Sequence, residues 1–217
     1  MRPRAAISWS GGKDCCLALL RAAETHDVVA MVTMFGEDGQ RSRSHGLTPA
    51  VIAAQAHRLG LPAYSACCSW TTYTDQYVEL LAQLTPLGVT HMVFGDIMGD
   101  SHREWNERVC AAHGLIPVMP LWGQSTRALA AEFIDRGGEA RLVTVRPPLL
   151  DEQWLGAALD HLLVERLIAL GVDPCGEFGE YHTVVTNCPA FSAPLTLRPG
   201  RSVTSNGCHA LDFVVHG

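Results

Sequence analysis

Several common sequence features are missing from this chain, and each absence excludes a class of protein. Basic residues are outnumbered, 16 against 22 acidic ones, and the net charge is −6, so the chain lacks the broad basic face of a non-specific nucleic-acid binder. Apolar runs long enough to span a bilayer are absent, and residues 1–4 lead into a strand without a secretory-signal pattern. We therefore expect a soluble, cytoplasmic protein with neither a membrane nor a nucleic acid as partner.

Spaced cysteine pairs are also missing. The chain has eight cysteines, but Cys15 and Cys16 are adjacent, Cys67 and Cys68 are adjacent, and no C-x-x-C motif occurs. This spacing argues against a zinc site and a disulfide framework, so we expect most of the thiols to be reduced and packed as small apolar groups. Cys15 is the exception, because a thiol at a helix N-terminus beside Lys13 should have a lowered pKa.

What the sequence does have is an alternation of strands and helices. It has 217 residues, 47% hydrophobic and 18% charged, enough for one large domain or two modest ones. Strands separated by helices of this length favour right-handed βαβ units and a Rossmann-like parallel sheet of five strands, in the order 3-2-1-4-5. Strands are predicted at 5–9, 27–35, 62–66, 89–94 and 115–119, and helices at 17–23, from Thr48 to Gly60, from Thr72, and from a Ser101/Glu104 capping box to Gly114.

A glycine turn joins the first strand to the first helix. It reads Ser10-Gly11-Gly12-Lys13-Asp14. Glycines let successive backbone N–H groups point into one concavity, and the helix dipole favours negative charge there. The spacing is not that of a Walker A motif, because Lys13 follows the second glycine directly. The turn therefore predicts an anion site, with an ordinary strand-to-helix turn as the alternative.

A second turn, Gly95-Asp96, ends the fourth strand. Ligands on parallel sheets bind outside the carboxyl ends of the strands, where the strand order reverses. In the order 3-2-1-4-5 the first and fourth strands are neighbours, so Asp96 should lie near the ligand of the glycine turn. It could bind a ribose hydroxyl or Mg²⁺; an aspartate that only caps a turn is the alternative.

From about Gln124 the pattern changes, and we predict a second, smaller α/β domain over 124–217 beside a nucleotide-binding domain over 1–123. Its predicted elements are helices at 126–137 and 155–170 and a strand at 140–145. The informative stretch is 173–183, a glycine-bearing loop that carries carboxylates, an imidazole and hydroxyls. His182 could act as a base near neutral pH, and Glu180 could orient an amine or hold a metal. A solvated loop of ordinary turn residues fits the composition about equally well.

These motifs resemble those of known families. The glycine turn resembles the Ser-Gly-Gly-x-Asp-Ser pyrophosphate loop of ATP pyrophosphatases in the adenine-nucleotide alpha-hydrolase superfamily, with Cys15 in place of the last serine. The stretch 175–183, followed by Asn187-Cys188-Pro189-Ala190-Phe191, resembles the signature of the diphthine–ammonia ligase family. Further pieces match that family in the same order, namely His45-Gly46, Gln55-Ala56, Gly60-Leu61-Pro62, Phe94-Gly95-Asp96-Ile97, His102-Arg103-x-Trp105 and Pro120-Leu121-Trp122.

The resemblance implies an ATP-dependent amidation. ATP adenylates a carboxylate and releases pyrophosphate; ammonia then displaces AMP. In that family the acceptor is the diphthine side chain of a translation elongation factor. The implied cofactors are ATP and Mg²⁺. A homodimer is possible, and the sequence does not decide the oligomeric state.

The resemblance and the chemistry together assign site residues to four roles. Nucleotide binding falls to Ser8, Trp9, Ser10, Gly11, Gly12, Lys13, Asp14, Cys15, Gly95 and Asp96. Mg²⁺ would bind Asp14 and Asp96. The acceptor side comprises His45, Glu177, Glu180, Tyr181, His182 and Thr183. Catalysis falls to Lys13, Asp14, Glu180 and His182.

Two other functions remain open. A tRNA-modifying member of the same superfamily would use the same loop, but the acidic net charge and the missing C-x-x-C of the thiolating members argue against it. A protein that binds ATP without turnover is the second, and the crowd of polar groups between Glu177 and Thr183 argues against that one.

Overall fold

The computed structural model describes residues 1–205 and 207–216. The first half of the chain forms a five-stranded, all-parallel sheet in the order β3-β2-β1-β4-β5, which confirms the predicted order. Its strands are β1 (Arg4–Ser8), β2 (Asp27–Phe35), β3 (Ala63–Cys67), β4 (His91–Val93) and β5 (Ile116–Val118), and its helices are α1 (Lys13–Ala22), α2 (Pro49–Leu59), α3 (Tyr73–Ala82) and α4 (Asp100–Ala111).

Both faces of this sheet are covered by helices. Neighbouring strand residues point to opposite faces, and Ala6 and Ile7 of β1 accordingly belong to two different buried clusters. The cluster of Ile7 includes α1 and α2, whereas the cluster of Ala6 includes α3 and α4. Burial on both sides explains why β1 and β2 are almost continuously apolar.

The second half forms a four-stranded antiparallel sheet in the order β7-β6-β9-β8. Its elements are α5 (Thr126–Asp135), β6 (Glu139–Val145), α6 (His161–Ala169), β7 (Tyr181–Asn187), β8 (Leu197–Ser205) and β9 (Cys208–Val215). One buried cluster joins Leu17 of α1, Phe133 of α5 and Val184 of β7, so α1 packs against both halves of the molecule. The division into 1–123 and 124–217 stays a prediction.

The helix caps were predicted with mixed success. At α2 the Thr48 side chain accepts a hydrogen bond from the Val51 N–H, and Gly60 ends the helix in the left-handed conformation, as the sequence indicates. The Ser101/Glu104 capping box is wrong, because α4 begins at Asp100 after Gly99, whose φ is 94°, without a side-chain cap. None of the described helices is both long and apolar enough to cross a membrane.

The predicted helix over 155–170 is also wrong in its first part. Gly156 has φ 79°, its N–H donates to the Leu142 carbonyl, and the Ala157 carbonyl accepts from the Leu142 N–H. This segment therefore lies along β6. The helix begins only at His161, where the Asp160 side chain accepts from the Leu163 N–H at 2.7 Å.

Candidate active site

A cleft of about 560 Å³ opens at the carboxyl ends of β1, β2 and β4. Its lining also includes the segment before β7, so the glycine turn and the 173–183 loop face the same space. The predicted site residues that line it are Ser8, Trp9, Ser10, Lys13, Asp14, Cys15, His45, Gly95, Asp96, Glu177, Tyr181 and His182. Those that do not line it are Gly11, Gly12, Glu180 and Thr183.

The glycine turn is held in place by the elements around it. Gly11 has φ 86°, a conformation that glycine adopts without steric cost, and its carbonyl accepts a hydrogen bond from the Val185 N–H at 2.9 Å. A Cβ at Gly12 would lie 2.1 Å from Cε1 of His45. The second glycine is therefore required because the His45 ring rests against the turn.

Gln55 supports the glycine turn, and no role in the site was predicted for it from the sequence. It is fully buried. Its Oε1 accepts from the Trp9 indole N–H at 2.8 Å, and its Nε2 donates to the carbonyls of Gly11 at 3.0 Å and Val185 at 2.9 Å. One amide thus connects α2, the glycine turn and β7. A buried polar residue on the apolar face of a helix is the sequence signal that points to it.

Lys13 opens α1 and is buried, with 2% of its surface exposed. Its ammonium donates to Asp14 Oδ2 at 2.9 Å and to the Cys175 carbonyl, and it lies 5.0 Å from the centre of the Tyr181 ring. Burial alone would lower the pKa of Lys13, but the charges of Asp14, Tyr181 and Cys175 and the hydrogen bond to Asp14 act together against it, and the pKa lies well above its ordinary value. Lys13 is therefore a fixed positive charge at neutral pH.

The prediction that Cys15 has a lowered pKa is wrong. Burial raises the pKa of its thiol to about 11, although the Ser10 hydroxyl and the amides of Ser10 and Gly11 act in the opposite direction. The thiol donates to the Gly12 carbonyl at 3.1 Å and accepts from Ser10 Oγ at 3.3 Å. The Lys13 ammonium, which was expected to lower the pKa, is engaged by Asp14 and Cys175 instead.

The end of β4 packs directly on the start of α1. A Cβ at Gly95 would lie 2.8 Å from the Cys15 backbone nitrogen, so only glycine fits there. Asp96, the next residue, lines the cleft. Its two oxygens lie 3.1 Å from His102 Nδ1 and 3.1 Å from Asn106 Nδ2. The carboxylate is therefore oriented by α4 while it faces the cleft.

The loop before β7 is organised by its own carboxylates. Asp173 Oδ1 accepts from the N–H groups of Cys175 and Glu177, at 2.8 and 3.2 Å. Glu180 accepts from the Asp173 N–H at 3.1 Å and from the Phe178 N–H at 3.0 Å. Both oxygens of Glu180 are thus used within the loop, and the structure does not bring this carboxylate to the cleft, contrary to its predicted catalytic and substrate-binding roles.

Thr183 and Tyr181 are also engaged within the protein. The Thr183 hydroxyl accepts the Lys13 backbone N–H at 3.1 Å, which takes one of the first-turn amides predicted to hold an anion. The Tyr181 hydroxyl donates to the Pro174 carbonyl at 2.6 Å, while its ring lines the cleft. Thr183 is therefore a buried support for the first turn of α1 and does not line the cleft; its contact with the substrate stays a prediction.

Glu177 faces the cleft and has an unusual proton affinity. Burial and the negative charge of Asp14 raise its pKa to about 7, and Asp173 and Asp96 act in the same direction. A carboxyl group with such a pKa exchanges its proton near neutral pH. The sequence indicated this residue only as part of the acceptor side.

His45 and His182 form a stacked pair on the cleft wall. Their ring centres are 4.7 Å apart, and the His45 Nδ1 lies 2.7 Å from the Thr183 carbonyl, so this nitrogen carries the proton. Burial lowers the pKa of His45 to about 4 and that of His182 to about 3. Both rings are neutral at pH 7, and the prediction that His182 is a base near neutral pH is wrong because burial makes its protonated form too acidic.

Among residues 1–205 and 207–216, no group of three or more His, Cys, Asp and Glu side chains is arranged to hold a metal ion. Asp14 and Asp96, the predicted metal ligands, both line the cleft. They supply oxygen donors, which Mg²⁺ prefers.

Comparisons with known proteins point to one family. A family model described as the diphthamide synthase N-terminal domain matches residues 3–117, and one described as the diphthamide synthase C-terminal domain matches residues 125–207. The protein named diphthine–ammonia ligase in Danio rerio is 30% identical over 215 residues, 87% of this chain and 84% of that protein. The one in Rattus norvegicus is 28% identical over 226 residues, 92% and 85% of the two chains.

A solved structure described as a predicted subunit of tRNA methyltransferase from Methanocaldococcus jannaschii covers 86% of this chain and 98% of its own. It is 12% identical with a TM-score of 0.43, too low to bear on fold or function. The two family models together match most of the chain, from β1 to β8. The chain belongs to the diphthamide synthase family.

Proposed function

We propose that this protein is an ATP-dependent ligase that amidates a carboxylate, with ammonia as the nitrogen donor and the diphthine side chain of a translation elongation factor as the acceptor. The names of the relatives support the reaction and the acceptor. The observation that carries the proposal is that one cleft is lined both by the glycine turn and by Glu177 and the His45/His182 pair. Residues 1–123 bind the nucleotide in this proposal, and 124–217 present the acceptor.

The glycine turn and Lys13 serve the first step. An acceptor carboxylate oxygen attacks the α-phosphorus of ATP, and the bond from that phosphorus to the pyrophosphate oxygen breaks. Negative charge then builds on the pyrophosphate, near the N-terminus of α1. An ammonium group has three donors, and those of Lys13 to Asp14 and Cys175 leave one for a phosphate oxygen.

Mg²⁺ fits the donors of this cleft, because Asp14 and Asp96 both line it and their negative charges both contribute to raising the pKa of Glu177. When bound, the ion would neutralise phosphate charge. The chain itself contributes the orientation of Asp96 through His102 and Asn106, and the pairing of Asp14 with Lys13.

Glu177 serves the second step. Ammonia attacks the acyl carbon, the bond from that carbon to the AMP oxygen breaks, and the attacking nitrogen gives up a proton. His45 and His182, with pKa values of about 4 and 3, are too acidic when protonated to take it. Glu177, with a pKa of about 7, matches a proton acceptor at neutral pH, and the two neutral imidazoles offer hydrogen bonds without adding charge.

The test is acceptor-dependent formation of AMP. Purified protein is incubated with ATP, Mg²⁺ and ammonium, together with elongation factor carrying diphthine, and AMP and amidated factor are measured. We expect equal amounts of both products, and no amide when ammonium is omitted. AMP that forms only with transfer RNA would favour the tRNA-modifying alternative, and ATP binding without AMP under every acceptor would favour a protein that binds ATP without turnover; either result would overturn the proposal.

A further inference from the structure

The cleft has few positive groups left for an anionic acceptor. The Lys13 ammonium is held by Asp14 and Cys175, and both imidazoles on the wall are neutral at pH 7 because of their low pKa values. Asp14 and Asp96 add negative charge to the same space. An acceptor carboxylate that enters this cleft therefore needs a cation that the steps above have not used.

Arg146 is not one of the residues that line the cleft, but its guanidinium lies beside Gly179, which is. Arg146 follows β6 directly, and its backbone N–H donates to the Glu180 carbonyl at 2.8 Å, which fixes the residue against the loop before β7. Its side chain is exposed. Its guanidinium packs on Gly179, where a Cβ would lie 3.1 Å from Nη2, and Gly179 itself lines the cleft beside His182.

The guanidinium of Arg146 also has no ion-pair partner among the residues that the structure describes, whereas Arg21 and Arg41 are each bound by a carboxylate. Its charge reaches into the cleft, since it contributes to the lowered pKa of His182. A planar guanidinium presents two parallel N–H groups that match the two oxygens of a carboxylate.

We propose that Arg146 binds the carboxylate of the acceptor beside the cleft and holds it for attack on the α-phosphorus. This inference rests on the proposed function and adds a specificity-determining residue to it. Gly179 has φ 77° and lacks a side chain that would displace the guanidinium, so the loop leaves room for Arg146 beside a residue of the cleft wall. The site would select acceptors by their carboxylate, whatever macromolecule carries it.

The experiment compares Arg146→Gln and Arg146→Lys with Arg141→Gln. Arg141 is a matched control, because it is an exposed arginine of β6, the strand that Arg146 follows, and its guanidinium donates to the Gly156 carbonyl. We expect Arg146→Gln to raise the KM for the diphthine-bearing factor about 10- to 100-fold, the range for a hydrogen bond to a charged group. The KM for ATP and the melting temperature should match those of Arg141→Gln, and Arg146→Lys should recover part of the loss.

The outcomes separate this inference from the function on which it rests. If the parent protein forms AMP with the acceptor and Arg146→Gln has an unchanged acceptor KM, Arg146 has no role and the proposed function stands. If Arg146→Gln raises the KM for ATP as much as that for the acceptor, the guanidinium binds phosphate, and the inference is overturned. If the parent forms no AMP with the acceptor, the proposed function fails first, and this inference fails with it.

Discussion

The two loops that face the cleft keep their shapes by different means. The glycine turn has few side chains of its own and is held from outside, by Gln55 of α2 and by Val185 of β7. The loop before β7 is held from inside, where Asp173 and Glu180 accept four of its own backbone N–H groups. Substitutions in other elements can therefore disturb the shape of the glycine turn, whereas the shape of the loop before β7 depends on its own carboxylates.

The largest effect is expected at the charge within the glycine turn. Lys13→Ala should lower AMP formation by at least about 100-fold, as for the loss of one donor to a developing negative charge. Radioactive ATP and chromatography of AMP measure it. Since Lys13→Ala also empties the space of the buried stem, Lys13→Met, which keeps most of that stem, is the companion variant; folded Lys13→Met with normal turnover would contradict the role of this charge.

Glu177→Gln tests whether the loop before β7 supplies a proton acceptor. We expect kcat to fall by about 100-fold, the low end for general base catalysis. In the parent, kcat should rise as the pH passes about 7, the pKa of Glu177, because the ionised form accepts the proton. In the variant this rise should disappear. A variant that keeps both the rate and the profile would leave the loop without a base.

The Glu177 carboxyl group should also make the stability of the parent protein depend on pH. The pKa of Glu177 is raised from 4.5 to about 7 on folding, so the folded state retains a proton that the unfolded state releases. The free energy of unfolding should therefore fall as the pH rises from about 4.5 to about 7. Denaturant titrations at several pH values should show a smaller fall in Glu177→Gln.

Gln55→Leu tests the external support of the glycine turn. It leaves the buried Trp9 indole N–H without its partner, which should cost at least about 2 kcal/mol of unfolding free energy. ATP affinity should weaken about tenfold, because misplacement of binding groups is costly. Gln83→Leu, at an exposed position after α3, is the control, and equal ATP affinities of the two variants would show that the turn keeps its shape alone.

Glu180→Gln tests the internal support of the second loop. An amide offers one acceptor oxygen where the carboxylate offers two, so one backbone N–H of the loop loses its partner, at about 1–3 kcal/mol. We expect a lower melting temperature and a kcat within a few-fold of the parent at low temperature. A collapse of kcat at unchanged melting temperature would restore the catalytic role that the sequence suggested.

Cys15→Ser should have the smallest effect. A hydroxyl can donate to the Gly12 carbonyl and accept from Ser10 as the thiol does, so turnover should stay within about threefold of the parent. Since burial raises the pKa of the thiol to about 11, parent Cys15 should resist iodoacetamide at pH 8, followed by mass spectrometry. Rapid labelling there would show that the turn opens.

Much of the fold follows from the sequence because its signals are local. The alternation of strands and helices, the glycine turn after β1 and the handedness of βαβ units together lead to the observed strand order. The capping box at Ser101 fails because Gly99, with φ 94°, precedes the helix and the helix begins two residues earlier than predicted. The helix over 155–170 fails because its first residues pair with β6, a long-range contact that periodicity does not reveal.

The site could be predicted only in part, for a related reason. The sequence brings the right segments to one cleft, but it does not tell which way a carboxylate turns. Glu177 and Glu180 have the same chemistry and lie three positions apart, yet one faces the cleft and the other binds backbone N–H groups. The pKa values of Cys15 and His182 depend on burial, which the composition of a loop does not show.

The contact at Gly95 has a consequence for how the cleft can adapt. Because Gly95 packs directly on the peptide between Asp14 and Cys15, the segment that follows β4 and the first turn of α1 are in backbone contact. The distance between Asp96 and the glycine turn is thus set by a backbone-to-backbone contact. A single methyl group at position 95 would push the two segments apart. In the proposed function, such a change would misplace the nucleotide although every side chain that lines the cleft is kept.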